Sequence, residues 1–204
     1  MYKLILQNGS TLTGDFCVYI TAASGNKSSE YSLAWFVKHC RPDTKIYHQW
    51  EIKYSFTWGE SGKLPSAPFC GAQLVDADPN DAHKSTIMLT YTDGAYGFID
   101  TVRRAKQGCL GIFTDGTIPH DKAALGIGID GVAAFIMQAT PNFYFEIVPK
   151  FRYWVTFGNY EAGQLLDFSY LNHSTATVQE IIFEPNRNEL TIKLNKSNQW
   201  EIIE

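Results

Sequence analysis

Residues 45–58 constrain the fold more than any other part of the chain. Their even positions are apolar, aromatic or histidine: Ile46, His48, Trp50, Ile52, Tyr54, Phe56 and Trp58. Their odd positions are polar, namely Lys45, Gln49, Glu51, Lys53, Ser55 and Thr57, with Tyr47 the exception. A period of two puts alternate side chains on opposite faces of an extended strand, one toward a core and one toward water. At about 3.3 Å per residue this run would span roughly 40 Å, far longer than a usual strand of about five or six residues. It must therefore bend, or pass between two packed sheets. Its even face reads as the spine of a sandwich core, with His48 the polar intruder.

Residues 142–157 repeat the pattern on odd positions: Phe143, Phe145, Ile147, Phe151, Tyr153, Val155 and Phe157. Pro149 interrupts that series and removes a ladder donor, so this run is two strands or one strand with a bulge. Asp93-Gly94 and Asp130-Gly131 sit between apolar runs and suit two-residue hairpin turns. Residues 15–21 are apolar on both faces, Phe16, Val18 and Ile20 against Cys17 and Tyr19, which predicts burial on both sides. Leu33, Phe36, Val37 and Cys40 would fit a short helix or a bent strand, and the β context around them favours the strand. Turn signals recur without a long helical pattern. The expected fold is an all-β, antiparallel β-sandwich of roughly ten to thirteen strands with at most one short helix. It forms a single domain over residues 1–204, with two related halves near 1–105 and 106–204 as an option. A faint echo supports the halves: Thr57-Trp-Gly59 with Gly62-Lys-Leu64 resembles Thr156-Phe-Gly158 with Gly163-Gln-Leu165.

A net charge of −4 gives no electrostatic footprint for nucleic acid. The densest basic cluster, Arg103, Arg104 and Lys106, reads as a solvated loop. The N-terminal residues lack the apolar run of a leader, and no stretch reaches the eighteen or more apolar residues of a membrane span, so a cytoplasmic protein is expected. The cysteines Cys17, Cys40, Cys70 and Cys109 form no C-x-x-C pair and read as buried reduced thiols. The sequons at Asn8, Asn26, Asn172 and Asn195 are then only polar turns.

Catalytic signatures are thin. Gly126-Ile-Gly-Ile-Asp-Gly131 matches a dinucleotide fingerprint, but no room for a crossover helix follows it, so the glycines belong to a tight hairpin. Asp76, Asp78 and Asp81 could ligate calcium, yet they lack the glycine and distant glutamate of an EF-hand loop. His39, His48, His83, His120 and His173 form no metal-binding pair. Neither a catalytic residue nor a metal or cofactor is expected. Tyr47, Tyr144 and Trp154 fall on the more polar faces of the long runs, which makes them the candidate exposed ligand or contact residues.

Three stretches together resemble the RhiA family of rhizosphere-induced proteins. They are Tyr31-Ser-Leu-Ala-Trp-Phe36 with Pro42 after it, residues 50–62 from Trp50 to Gly62, and Tyr153-Trp-Val-Thr-Phe-Gly158 with residues 163–167. The resemblance extends to Leu4-Ile-Leu-Gln-Asn8, Asp15-Phe-Cys-Val-Tyr19 and residues 125–131, nearly the whole chain. It implies a microbial protein made in quantity under community or developmental control, and it supplies no activity and no site. The functional expectation is a non-enzymatic interaction or self-assembling structural protein that forms a homo-oligomer or higher assembly. A lectin-like module binding glycan through its aromatics is the alternative. A metal-dependent enzyme assembled from His48, His120 or the Asp76 region ranks last.

Overall fold

The computed structural model of the chain describes residues 1–23, 30–65, 68–166 and 178–203. The sequons at Asn26 and Asn172, and His173, lie outside them. The described residues form eighteen strands and no helix, and no sheet closes into a barrel. Sheet A has the order β18-β17-β1-β5, with β1 Tyr2–Asn8, β5 Thr44–Trp50, β17 Glu189–Leu194 and β18 Trp200–Ile203. Sheet B has the order β16-β14-β2-β4, with β2 Gly14–Ala22, β4 Phe36–Cys40, β14 Phe151–Gly158 and β16 Gln179–Ile181. Sheet C runs β15-β3-β12-β11-β6-β7, with β3 Glu30–Leu33, β6 Tyr54–Glu60, β7 Gln73–Ala77, β11 Ala123–Ile129, β12 Val132–Gln138 and β15 Leu165–Leu166. Sheet D runs β13-β10-β8-β9, with β8 Thr86–Thr92, β9 Ala95–Ile99, β10 Leu110–Thr114 and β13 Tyr144–Ile147. Each sheet combines strands from residues 1–105 with strands from 106–204.

The sheets pack in two pairs. Leu4, Leu6, Ile46, Trp50 and Ile192 of sheet A meet Phe16, Val18, Ile20 and Val155 of sheet B. Phe56, Leu125, Ile127 and Phe135 of sheet C meet Ile87, Leu89, Leu110 and Ile112 of sheet D. The cores touch: Ile129 and Ala134 of sheet C belong to the A/B cluster, and Tyr54 and Phe151 border both. Trp35 Nε1 donates to the Ile129 carbonyl at 3.2 Å, tying the two pairs together.

The two long alternating runs are where the chain passes from one pair to the other. Residues 45–58 divide into β5 in sheet A and β6 in sheet C, with the break at 51–53. Ile52, expected in the core, is 44% exposed there, because the backbone leaves one sheet for another. Residues 142–157 divide at Pro149 into β13 in sheet D and β14 in sheet B. The two crossings meet, since the Tyr54 hydroxyl donates to the Pro149 carbonyl at 3.0 Å and the Tyr54 ring lies 6.0 Å from that of Phe151. Such division accounts for some of the strands beyond ten to thirteen, and residues 31–40 also form two strands, β3 and β4.

Local chemistry explains the remaining geometry. Asp93 and Gly94 both take positive φ, 53° and 81°, in the β8–β9 turn, and Asp130 and Gly131 do the same between β11 and β12. That is the type I′ geometry matched to strand twist. Strand β2 is buried on both faces as expected, with Cys17 and Tyr19 packed beside Ala34 and Leu166. Among the described residues two pairings are parallel rather than antiparallel, β1 with β17 and β8 with β10. The first places the N-terminal strand between β5 and β17, at the centre of sheet A.

Candidate interaction surface

The outer face of sheet A is built by simple alternation. In β1 the side chains of Leu4 and Leu6 enter the A/B core, so those of Lys3, Ile5 and Gln7 point out. The same rule turns Lys45, Tyr47 and Gln49 of β5 outward, opposite buried Ile46 and Trp50. Register then aligns three rows across the sheet. Tyr47, Ile5, Thr191 and Ile203 form the middle row. Lys45, Gln7, Lys193 and Glu201 flank it on one side, and Gln49, Lys3 and Glu189 on the other. Tyr47 is 61% exposed and Ile203 is also exposed.

Charge on this face is segregated. The β5 and β1 half carries Lys45 and Lys3, whereas the β17 and β18 half carries Glu189 and Glu201 with Lys193. Lys3 Nζ bonds Glu189 at 2.9 Å and lies 5.9 Å from the centre of the Tyr47 ring. Glu201 accepts from Asn195 Nδ2 at 2.8 Å and stands 4.0 Å from Lys193 Nζ. These exposed pairs contribute little stability and chiefly fix side-chain positions.

The three aromatic candidates do not share a surface. Tyr47 stands on sheet A, Tyr144 on sheet D and Trp154 on sheet B. Tyr144 stacks on Phe113 at 4.2 Å, and its hydroxyl donates to the Glu146 carboxylate. Burial first, then that bond, push the Tyr144 phenol up, while the Tyr144 and Lys106 donors hold Glu146 below the usual carboxylate range. The basic loop beside it is tied down: the Arg103 guanidinium covers the Phe113 ring at 5.1 Å, and Lys106 Nζ is 3.3 Å from Glu146. Trp154 is half-buried, donates from Nε1 to Thr21 Oγ1 at 3.0 Å, and lies under Arg152, which grips Glu180 with two bonds of 2.6 and 2.5 Å.

His48 lies on the inner side of β5, between the edges of sheets A and B. Its ring stacks on Phe36 at 3.9 Å and on Trp50 at 5.2 Å, and meets Trp35 edge-on at 5.1 Å. Its Nε2 is buried with no hydrogen-bond partner, and burial lowers its pKa to about 4 despite the opposing pull of Asp130. The polar intruder on the core face of residues 45–58 is thus held among aromatic rings.

Among the described residues, no group of three or more His, Cys, Asp or Glu side chains could hold a metal ion. Asp78 and Asp81 instead accept the backbone N–H groups of Asn80 and His83, both at 2.8 Å. Three cysteines are buried thiols, but Cys70 is exposed because it sits in the segment before β7. Sequence reading missed the pairing of Asp15 with His39, 2.8 Å apart across β2 and β4, and the polar rows of sheet A. Both depend on register between strands distant in sequence, for which alternation within a strand carries no signal.

Fold and surface together define an all-β protein of paired, stacked sheets, with an open four-stranded face. The family model for RhiA matches residues 1–204, and the chain belongs to the RhiA family. It is 28% identical over 205 residues to Protein RhiA of Rhizobium leguminosarum bv. viciae, covering 98% of this chain and 85% of that protein. No solved structure matches it. No helix among the described residues is long and apolar enough to cross a membrane.

Proposed function

We propose that the protein is a non-enzymatic interaction protein that associates with copies of itself through the outer face of sheet A. The self-complementarity of that face carries this reading. A two-fold axis parallel to the strands, in the plane between two stacked copies, sets β5 of one copy over β18 of the other. Lys45 then faces Glu201 of the second copy, Lys3 faces its Glu189, and Tyr47 faces its Ile203. One operation pairs Lys45 and Lys3 with glutamates, sets Lys193 against Gln7 and covers the exposed aromatic.

Four strands about 4.8 Å apart and about six residues long present only roughly 400 Å² per copy, below the size of a stable interface. The association is therefore reversible and driven by concentration, consistent with a protein accumulated in quantity. Four free thiols, one of them exposed, support a reducing cytoplasmic location. Sedimentation velocity tests the reading: the sedimentation coefficient rises with concentration for the wild type, and Tyr47→Lys abolishes the rise while leaving the fold intact. A wild type that stays monomeric at the highest attainable concentration refutes it.

A further inference from the structure

The outer face of sheet C holds a crevice of about 250 Å³ that the association surface does not use. Trp35, Phe69, Leu74 and Val132 supply apolar walls, and none of the lining residues is charged. Thr57 of β6 also lines it, is 0% exposed, and has no hydrogen-bond partner at Oγ1. Ser55, on the same face of β6 two residues earlier, is likewise buried with an unpartnered Oγ. The exposed backbone of Gly71 lies over Thr57, so closely that a Cβ there would come 2.8 Å from Oγ1. Buried hydroxyls nearly always find partners, and the Thr57 hydroxyl left unpaired in the lining of an apolar crevice points to a group that enters it, whereas Ser55 lies outside the lining.

We propose that this crevice binds a small uncharged molecule with an apolar body and a carbonyl oxygen, which accepts a hydrogen bond from the Thr57 hydroxyl. The class follows from the walls. No charged residue is present to compensate an ionised ligand, and burying an unpaired charge is prohibitive. The volume falls below the roughly 300 Å³ at which drug-sized pockets begin, so the ligand is small. A hydroxyl can donate to a carbonyl, and a purely apolar ligand would leave it as it is.

Acetophenone and ethylbenzene, matched in body and differing in the oxygen, are the probes. Titrating each into the 15N-labelled full chain, the proposal expects saturable amide shifts at Leu74 and Val132, with acetophenone binding about fivefold tighter. Thr57→Val, which keeps the side-chain shape, makes the two probes equal, and Leu74→Trp, at an exposed wall, blocks both. Absence of saturable shifts with either probe means a water-filled crevice only and overturns the proposal. So does a wild type without preference for acetophenone, a preference that survives Thr57→Val, or binding that survives Leu74→Trp.

Discussion

The outer faces of sheets A and C are made by the same alternation but have opposite characters. Sheet A turns Lys, Glu, Gln and a bare Tyr47 to the surface, and nothing among the described residues covers them. Sheet C turns Ser55, Thr57 and Ala124 outward, and Phe69 and Leu64 pack over part of that face. Large polar side chains leave a face uncovered by the chain's own loops. Small ones let the chain's own loop settle on it, at the cost of stranded hydroxyls. The cores beneath also differ. The A/B core holds a connected aromatic group, in which Trp50 contacts Tyr2, Trp35, His48, Tyr153 and Phe183. The C/D core relies more on Ile and Leu around Phe56 and Phe135.

The largest expected effect asks whether these cores are separate. Trp50→Ala empties the centre of the A/B core and should cost about 3–5 kcal/mol, as should Phe56→Ala in the C/D core. Tyr54, Phe151 and the Trp35–Ile129 bond span the boundary, so urea unfolding followed by fluorescence and by circular dichroism should remain one coincident transition in both variants. Two separable transitions would split the molecule into independent sandwiches.

A smaller effect separates the pairs by pH. His48 belongs to the A/B core, whereas His39, His83 and His120 are exposed. Its folded pKa, about 4, lies below its ordinary 6.5, so the unfolded chain takes up the proton first. The stability it confers is fully present above pH 6.5 and is lost as pH falls toward 4. Because the ring is partly exposed, the loss should be on the order of 1–2 kcal/mol rather than the full value for 2.5 pH units. Denaturation midpoints between pH 7 and 4 check this, and His48→Leu should flatten the slope in that window. An unchanged slope would place the acid sensitivity elsewhere.

Much of this architecture was legible in the residues. Alternation identified the long runs, Asp-Gly pairs located two hairpins, and Pro149 marked one crossing, because each is a local property of the backbone. That residues 45–58 must bend or pass between sheets followed from their length, but the place of the break at 51–53 was not legible: Glu51-Ile-Lys53 continues the alternation without Pro or Gly, and only tertiary packing sends the chain into a second sheet. The parallel pairing of β1 with β17 was equally hidden, since it joins residues almost 190 positions apart. Of the three candidate contact residues, Tyr47 and Tyr144 are exposed and Trp154 is half-buried. Their distribution over three sheets could not be read from faces alone. The rows of charge that give sheet A its self-complementarity exist only once β1, β5, β17 and β18 are in register.

The central claim is therefore tested most directly by a charge exchange across the proposed interface, read by sedimentation equilibrium. Lys45→Glu alone should weaken self-association, since it sets like charges opposite each other, as should Glu201→Lys alone. The double variant should restore association toward the wild-type level, as each copy again presents opposite charges across the two-fold axis. If the single variants associate as the wild type does, or if the double variant only adds their losses, the outer face of sheet A is not where copies of this chain meet.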